Sequence, residues 1–177
     1  VNGFQRRFSE QRIAMSRKMV EAGADVIVIY DDYGTARAPL TSMEMWKEFT
    51  YPHLKKHIEA VHDAGALAML HSCGHQMPFL EHYVEAELDI LQSFQPKAGN
   101  DFRAAHQAFG DRLTFCTGVD VQRGEMMTPG EVRDDILRAY RIGGRNGRHI
   151  LGYTHMVQYT MPAENLETLL STVREIQ

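Results

Sequence analysis

The alternation of two apolar patterns along the chain is the feature that most restricts its fold. Runs of β-branched and other apolar residues, too short for helices, predict strands over residues 25–30, 66–71, 88–92, 113–117 and 149–152. Between them, apolar residues recur at helical spacing and predict helices over 5–21, from 41 to a break at Pro52, from there to 63, and over 77–86, 102–109, 128–142 and from Pro162 onwards. Repeated strand–helix units give parallel strands joined by right-handed crossovers, so the predicted fold class is α/β.

Short motifs mark several boundaries of these elements. Gly23 is expected to end the first helix, and Pro52 to break one helix and start the next. Thr41-Ser42-Met43-Glu44 and Thr128-Pro129-Gly130-Glu131 both have the form of a capping box at a helix start. The first strand is a continuous apolar run, which predicts burial on both of its faces.

Two architectures contain repeated βα units, the open doubly wound sheet and the (β/α)8 barrel. The residues after the first strand, Tyr30-Asp31-Asp32-Tyr33-Gly34, do not resemble the glycine-rich turn of a dinucleotide-binding sheet. A complete barrel needs roughly 200–250 residues, whereas 177 residues accommodate about five units. We therefore expect residues 1–177 to form a single domain that is part of a parallel barrel. Its unpaired edges predict coverage by the missing N-terminal half of the barrel or by another subunit of a homo-oligomer.

Composition restricts the classes of partner. The net charge is −4 and the charges are interspersed, which argues against a nucleic-acid-binding protein. No apolar stretch approaches the roughly 20 residues that cross a bilayer, so no membrane association is expected. The chain has 2 cysteines, too few for a secreted disulfide framework, which predicts a cytoplasmic protein. With nucleic acid and membrane excluded, the expected partner is a small-molecule substrate.

Polar side chains follow every predicted strand. In barrel enzymes the working residues project from the carboxyl ends of the strands, so these segments predict the active site. They are residues 30–33, 71–73, 92–95, 118–122 and 153–155.

The His71-Ser72-Cys73-Gly74 segment is the sharpest of these motifs. Residues i and i+2 of an extended chain point the same way, so the imidazole and the thiol can converge on one ion. Zinc accepts such nitrogen and sulfur ligands. A core histidine beside a small buried cysteine is the alternative that this spacing leaves open.

Adjacent carboxylates at Asp31 and Asp32 form the second candidate. They could bind a cation, hold a substrate amine or act as a general base, or they could simply end the strand in a solvated turn. Three other features have structural interpretations. These are Cys116 as a packing residue, His53, His57 and His62 as part of a solvated helix face, and the glycine-rich residues 143–148 as a helix end.

Several ordered motifs together resemble the uroporphyrinogen decarboxylase superfamily, which includes zinc-dependent methylcorrinoid:coenzyme M methyltransferases. The resemblance implies a (β/α)8 barrel of which this chain is the C-terminal portion, about five of the eight units. The matching segments are residues 31–34, 49–53, 71–74, 89–92, 110–113, 118–122 and 155–165.

The resemblance divides between two branches of the superfamily. The methyltransferase branch has the His-x-Cys pair and a third ligand, usually cysteine, shortly before a final Pro-x-Glu-Asn. This sequence retains His71 and Cys73 but places His155 where that cysteine is expected. The decarboxylase branch lacks the His-x-Cys element and has a histidine that matches His155. The resemblance thus implies zinc held by His71, Cys73 and His155, with an open fourth position.

The implied activity is transfer of a methyl group from a corrinoid, carried by a partner protein, to a thiol. Asp32 and His155 are the expected catalytic residues. The expected substrate-binding residues are Asp31, Tyr33, Gln92, Asp120 and Gln122. One alternative is metal-free decarboxylation of a porphyrinogen-like substrate, with Arg37 and Arg123 as candidates for carboxylate binding. Another is a non-catalytic, truncated barrel module.

Overall fold

Five parallel strands form one sheet in the computed structural model, which describes residues 2–144 and 147–176. The strands lie side by side in chain order, and each pairs in parallel with the next. This order is that of a barrel wall, because right-handed crossovers that always step in one direction place every helix on the same face. The predicted α/β class and partial barrel are confirmed. The strands are β1 Val26–Tyr30, β2 Leu67–His71, β3 Ile90–Gln92, β4 Thr114–Val119 and β5 His149–Tyr153.

The helices follow the strands along the chain, and the longer ones cover the outer face of the sheet. They are α1 Asn2–Glu21, α2 Met43–Phe49, α3 Tyr51–Asp63, α4 Leu80–Glu85, α5 Phe102–Phe109, α6 Val121–Gly124, α7 Pro129–Gly143 and α8 Ala163–Ile176, with short 3-10 turns at Met77–Phe79 and Pro96–Ala98. Alternate strand residues such as Ile29, Leu70 and Phe115 point at the helices and are 0–2% exposed. The apolar area that they bury is the main stabilising term of this layer. Among the described residues, none of the helices is long and apolar enough to cross a membrane.

The inner face of the sheet corrects one prediction. β1 was expected to be buried on both faces, but Val28 and Tyr30 are 39% and 69% exposed, whereas Ile27 and Ile29 are 4% and 2% exposed. The reason is that the helices in contact with the sheet pack on its outer face. The alternate residues of β1 therefore point to the concave face of the sheet, which is the interior of a complete barrel.

Most boundary motifs have the predicted roles. Gly23 ends α1 with a φ of 101°, and Pro52 lies in the first turn of α3. Thr128 and Glu131 form the predicted capping box of α7. The prediction of a capping box over Thr41–Glu44 is wrong. Ser42 caps α2 instead, and its Oγ accepts a hydrogen bond from the Met45 N–H. α7 ends at Gly143 as predicted, although Arg145 and Asn146 of the glycine-rich segment lie outside the described residues.

The solvated histidine face predicted for α3 is also wrong. His57 is only 5% exposed, and its Nε2 lies 2.8 Å from the Ser16 Oγ of α1. His62 Nε2 lies 2.7 Å from the Asp89 carboxylate. His57 is buried by α1, and His62 is half-buried beside the residue that precedes β3. These contacts join distant segments, so the short-range periodicity of α3 does not reveal them.

Acidification is expected to weaken the fold through His57. Burial, with a smaller contribution from the Arg12 charge, lowers the pKa of His57 from 6.5 to about 4. The unfolded chain therefore takes up a proton between these values while the folded chain does not, and stability falls as pH decreases through this window. We expect the free energy of unfolding to drop by about 2 kcal/mol between pH 7 and pH 4.5. Urea unfolding across this range checks it. His57→Gln should remove this part of the pH dependence, whereas His53→Gln on the same helix should retain it.

Candidate metal centre

Three side chains from two loops meet at the carboxyl ends of the strands. His71 ends β2, Cys73 follows it by two residues, and His155 follows the end of β5. One ligand atom of each lies within 4.8 Å of the others, and the two imidazole centroids are 5.0 Å apart. All three residues are half-buried. The three ligand atoms are therefore within reach of one ion, and one sulfur with two nitrogens is a donor set that zinc accepts.

Gln92 orients the first of these side chains. It is the neighbour of His71 in the β2–β3 register, and its Oε1 forms a hydrogen bond with His71 Nδ1. A carboxamide oxygen only accepts, so Nδ1 carries the hydrogen and Nε2 keeps a free electron pair. The Tyr30 ring lies against the same imidazole, with centroids 5.0 Å apart. A hydrogen bond of this kind fixes the tautomer and direction of a metal-binding histidine.

Polar side chains form hydrogen bonds with the backbone N–H and carbonyl groups of both Cys73 and Gly74. The Cys73 N–H donates to Asp32 Oδ1 at 2.8 Å, and its carbonyl accepts from Gln76 Nε2 at 2.6 Å. Asn100 Nδ2 donates to the Gly74 carbonyl at 2.9 Å, and Gln95 Oε1 accepts from the Gly74 N–H at 3.3 Å. Gln76 and Asn100 are 0% and 4% exposed. These bonds fix the direction in which the thiol projects.

Burial and neighbouring charge keep two of the candidate ligands in defined protonation states. Burial, followed by the hydrogen bond and charge of Asp32, raises the pKa of the Cys73 thiol to about 11. Burial and the adjacent His71 lower the pKa of His155, which is therefore a neutral imidazole at pH 7. A protonated thiol is a weak nucleophile, whereas a bound cation favours the thiolate. This environment argues against a free nucleophilic cysteine.

The two adjacent aspartates have separate partners. Asp32 holds the Cys73 backbone, as described above. The Asp31 carboxylate accepts a hydrogen bond from the Tyr33 hydroxyl at 3.2 Å and lies 3.6 Å from the Arg12 guanidinium. Burial raises the pKa of Asp31, partly offset by Arg12. The pair is therefore not a simple solvated turn.

The remaining predicted substrate residues lie in different surroundings. The Tyr33 ring is 5% exposed and packs between Trp46 and Phe79. Asp120 is 4% exposed and caps α6 by accepting from the Gln122 N–H at 3.0 Å. Gln122 lines a 370 Å³ cleft together with His155. Tyr33 and Asp120 thus have structural partners, and the substrate contacts of all these residues stay predictions.

Sequence reasoning missed two of the carboxamides that hold the Cys73 loop, Gln76 and Asn100. Gln76 also accepts a hydrogen bond from the Tyr83 hydroxyl at 2.7 Å, so it links the loop to α4. Isolated Gln and Asn residues carry no periodic signal, and only their burial identifies them. Cys116 was predicted to be a packing residue. It is half-buried beside Gln92 in the β3–β4 register and is not part of the His71–Cys73–His155 group.

Replacement of Gly74 by alanine is expected to displace the Cys73 loop. Gly74 has a φ of 81°, and a Cβ there would lie 2.5 Å from the carbonyl carbon and oxygen of Gly34. We expect Gly74→Ala to lower the free energy of unfolding by about 2 kcal/mol or more. Urea unfolding and amide NMR shifts of the loop check it. Gly130→Ala is the matched control, since its nearest contact would be 3.9 Å away, and equal effects of both substitutions would contradict the prediction.

Nearly the whole chain is similar to known proteins. A family model described as uroporphyrinogen decarboxylase (URO-D) matches residues 4–176. The methylcobamide:CoM methyltransferase MtaA of Methanosarcina barkeri is 27% identical over 163 residues, which are 92% of this chain and 45% of that protein. The uroporphyrinogen decarboxylase of Thermus thermophilus is 22% identical over 173 residues, 96% of this chain and 47% of that protein.

A solved structure shows the same fold. The methyltransferase from Methanosarcina mazei superposes with a TM-score of 0.76 at 24% identity, over 95% of this chain and 47% of that one. At this identity the likeness concerns the fold alone. The chain spans about half the length of the curated relatives that it matches. The match of the family model over nearly all of the sequence shows that the chain belongs to the uroporphyrinogen decarboxylase family.

Proposed function

We propose that the protein is a zinc-dependent methyltransferase that moves a methyl group from a corrinoid, carried by a partner protein, to a small-molecule thiol. The observation that carries the proposal is the convergence of Cys73 with two imidazoles, His71 and His155, from separate loops. Similarity to a methylcobamide:CoM methyltransferase supports the reaction class. Zinc, when bound, would offer an open position to the incoming thiol and lower the pKa of that thiol.

The side chains of this chain hold and orient the reacting groups in the proposal. His71, Cys73 and His155 are the zinc ligands, and Gln92 and Asp32 hold the first two in place. Asp32 also places a carboxylate beside the site, where it can accept a hydrogen bond or a proton. Gln122 lies beside His155 in the cleft where a substrate has room to bind.

Metal-free decarboxylation is the second candidate, supported by the similarity to a uroporphyrinogen decarboxylase. That reaction needs cations for the carboxylates of its substrate. Arg123 NH2 lies 3.7 Å from the Glu131 carboxylate, and Arg37 is an exposed loop residue. Neither arginine is part of the His71–Cys73–His155 group, so the site favours methyl transfer.

Metal analysis is the first test. We expect the purified protein to contain about one zinc per chain, because the three ligand atoms of His71, Cys73 and His155 lie within reach of one ion. Elemental analysis should show loss of zinc in Cys73→Ala and in His155→Ala. Cobalt substitution should give a sulfur-to-cobalt charge-transfer band that Cys73→Ser abolishes. Cys116→Ser is the matched control and should retain both zinc and band; full zinc in Cys73→Ala would overturn the assignment.

A direct assay tests the reaction. With methylcobalamin and a low-molecular-weight thiol, we expect a methyl thioether to form as the carbon–cobalt bond breaks and its electron pair stays on cobalt. Mass spectrometry of the thioether and the cob(I)alamin absorbance measure the two products. Cys73→Ala should lower the rate by at least about 100-fold, since loss of a zinc ligand removes thiol activation. Carbon dioxide release from a porphyrinogen by zinc-free protein would instead support the decarboxylase.

A further inference from the structure

A second cavity lies on the helix side of β1, outside the concave face that carries the metal ligands. Its volume is 260 Å³, and it is bounded by α1, by α2 and α3, and by the end of β1. Its apolar wall is formed mainly by the side chains of Phe8, Ile29, Trp46, Phe49 and Leu54. An apolar cavity of about 150 Å³ is large enough for benzene. This cavity therefore accommodates an aromatic ring that carries one further polar group.

Unpartnered polar atoms concentrate in this cavity. Among the described residues, seven buried side-chain polar atoms lack a hydrogen-bond partner, and three of them belong to residues that line it: Gln5 Oε1, Ser9 Oγ and Trp46 Nε1. Trp46 is 2% exposed and Ser9 is 8% exposed. A buried polar atom without a partner costs about 1–3 kcal/mol. A ligand that bonded all three would recover this cost.

Two of the three charged groups that line the cavity, Arg12 and Asp31, are paired with each other. The Arg12 guanidinium lies 3.6 Å from the Asp31 carboxylate and donates to the Tyr30 carbonyl at 3.1 Å. Asp32 accepts from the Cys73 N–H. An anionic ligand would lose its hydration beside the Asp31 and Asp32 carboxylates without gaining a free cation, and this disfavours a negatively charged occupant.

The three unpartnered atoms specify complementary bonding groups. Trp46 Nε1 can only donate, Gln5 Oε1 can only accept, and the Ser9 hydroxyl can do either. A carboxamide presents a carbonyl acceptor beside an N–H donor. We propose that this cavity binds a small, uncharged aromatic molecule with a carboxamide or lactam edge, its ring against Phe8, Trp46 and Phe49.

The fluorescence of Trp46 tests the proposal directly, because it is the one tryptophan in the 177-residue sequence. Benzamide is the probe, with benzoate and toluene as controls that keep the ring but add a charge or remove the polar group. We expect a saturable change in emission with benzamide, and binding at least about 10-fold tighter than that of either control. Binding of benzoate or toluene as tight as that of benzamide would overturn the proposal, as would the absence of saturable benzamide binding.

Variants locate the binding event. Ser9→Ala should weaken benzamide binding by about five-fold, the effect of one neutral hydrogen bond. Ser171→Ala on the exposed face of α8 is the matched control and should leave the affinity unchanged. Trp46→Phe, followed by calorimetry instead of fluorescence, should weaken binding to a similar extent because it removes the N–H and keeps an aromatic ring. Thermal unfolding of each variant establishes that it is folded. Equal affinities of wild type, Ser9→Ala and Trp46→Phe would exclude this cavity as the benzamide site.

Discussion

The parallel register between β2 and β3 is the constraint on which the candidate metal centre depends. The register sets Gln92 beside His71, and these are the last residues of β3 and β2. The Gln92 carboxamide can therefore direct the His71 imidazole at the point where the loop that carries Cys73 begins. Because neighbouring strands follow in chain order, the same edge of the sheet also receives the loop after β5 with His155. A slip of one residue in this register would turn His71 to the helix side and separate the three ligands.

Rigidity around Cys73 comes from buried carboxamides rather than from apolar packing. Gln76 and Asn100 satisfy loop peptide groups that helices and strands leave without partners, and the tight approach of Gly74 to Gly34 leaves no room for a side chain. Such a buried network stabilises one backbone conformation when its bonds are complete. The thiol is therefore directed by the loop itself.

The two faces of the sheet have different roles. The outer face packs against the helices and forms the core, and beside β1 it also borders the cavity at Trp46. The inner face carries polar and apolar side chains in a common row, Tyr30, His71, Gln92, Cys116 and Ile150. Asp32 connects the two regions, since it lines the cavity and accepts from the Cys73 N–H.

By itself the sequence determined the order of the five strands and the longer helices, most helix boundaries and the proximity of His71 and Cys73. These follow from short-range periodicity and from steric preferences of Gly, Pro and capping residues. The family resemblance implied that His155 joins His71, and the tertiary structure brings the two imidazoles together. Only the tertiary structure decided that His57 is buried against Ser16 and that Gln76 and Asn100 hold the loop. Those contacts join segments far apart in the chain, and their formation depends on sheet curvature and helix packing, which no local pattern encodes.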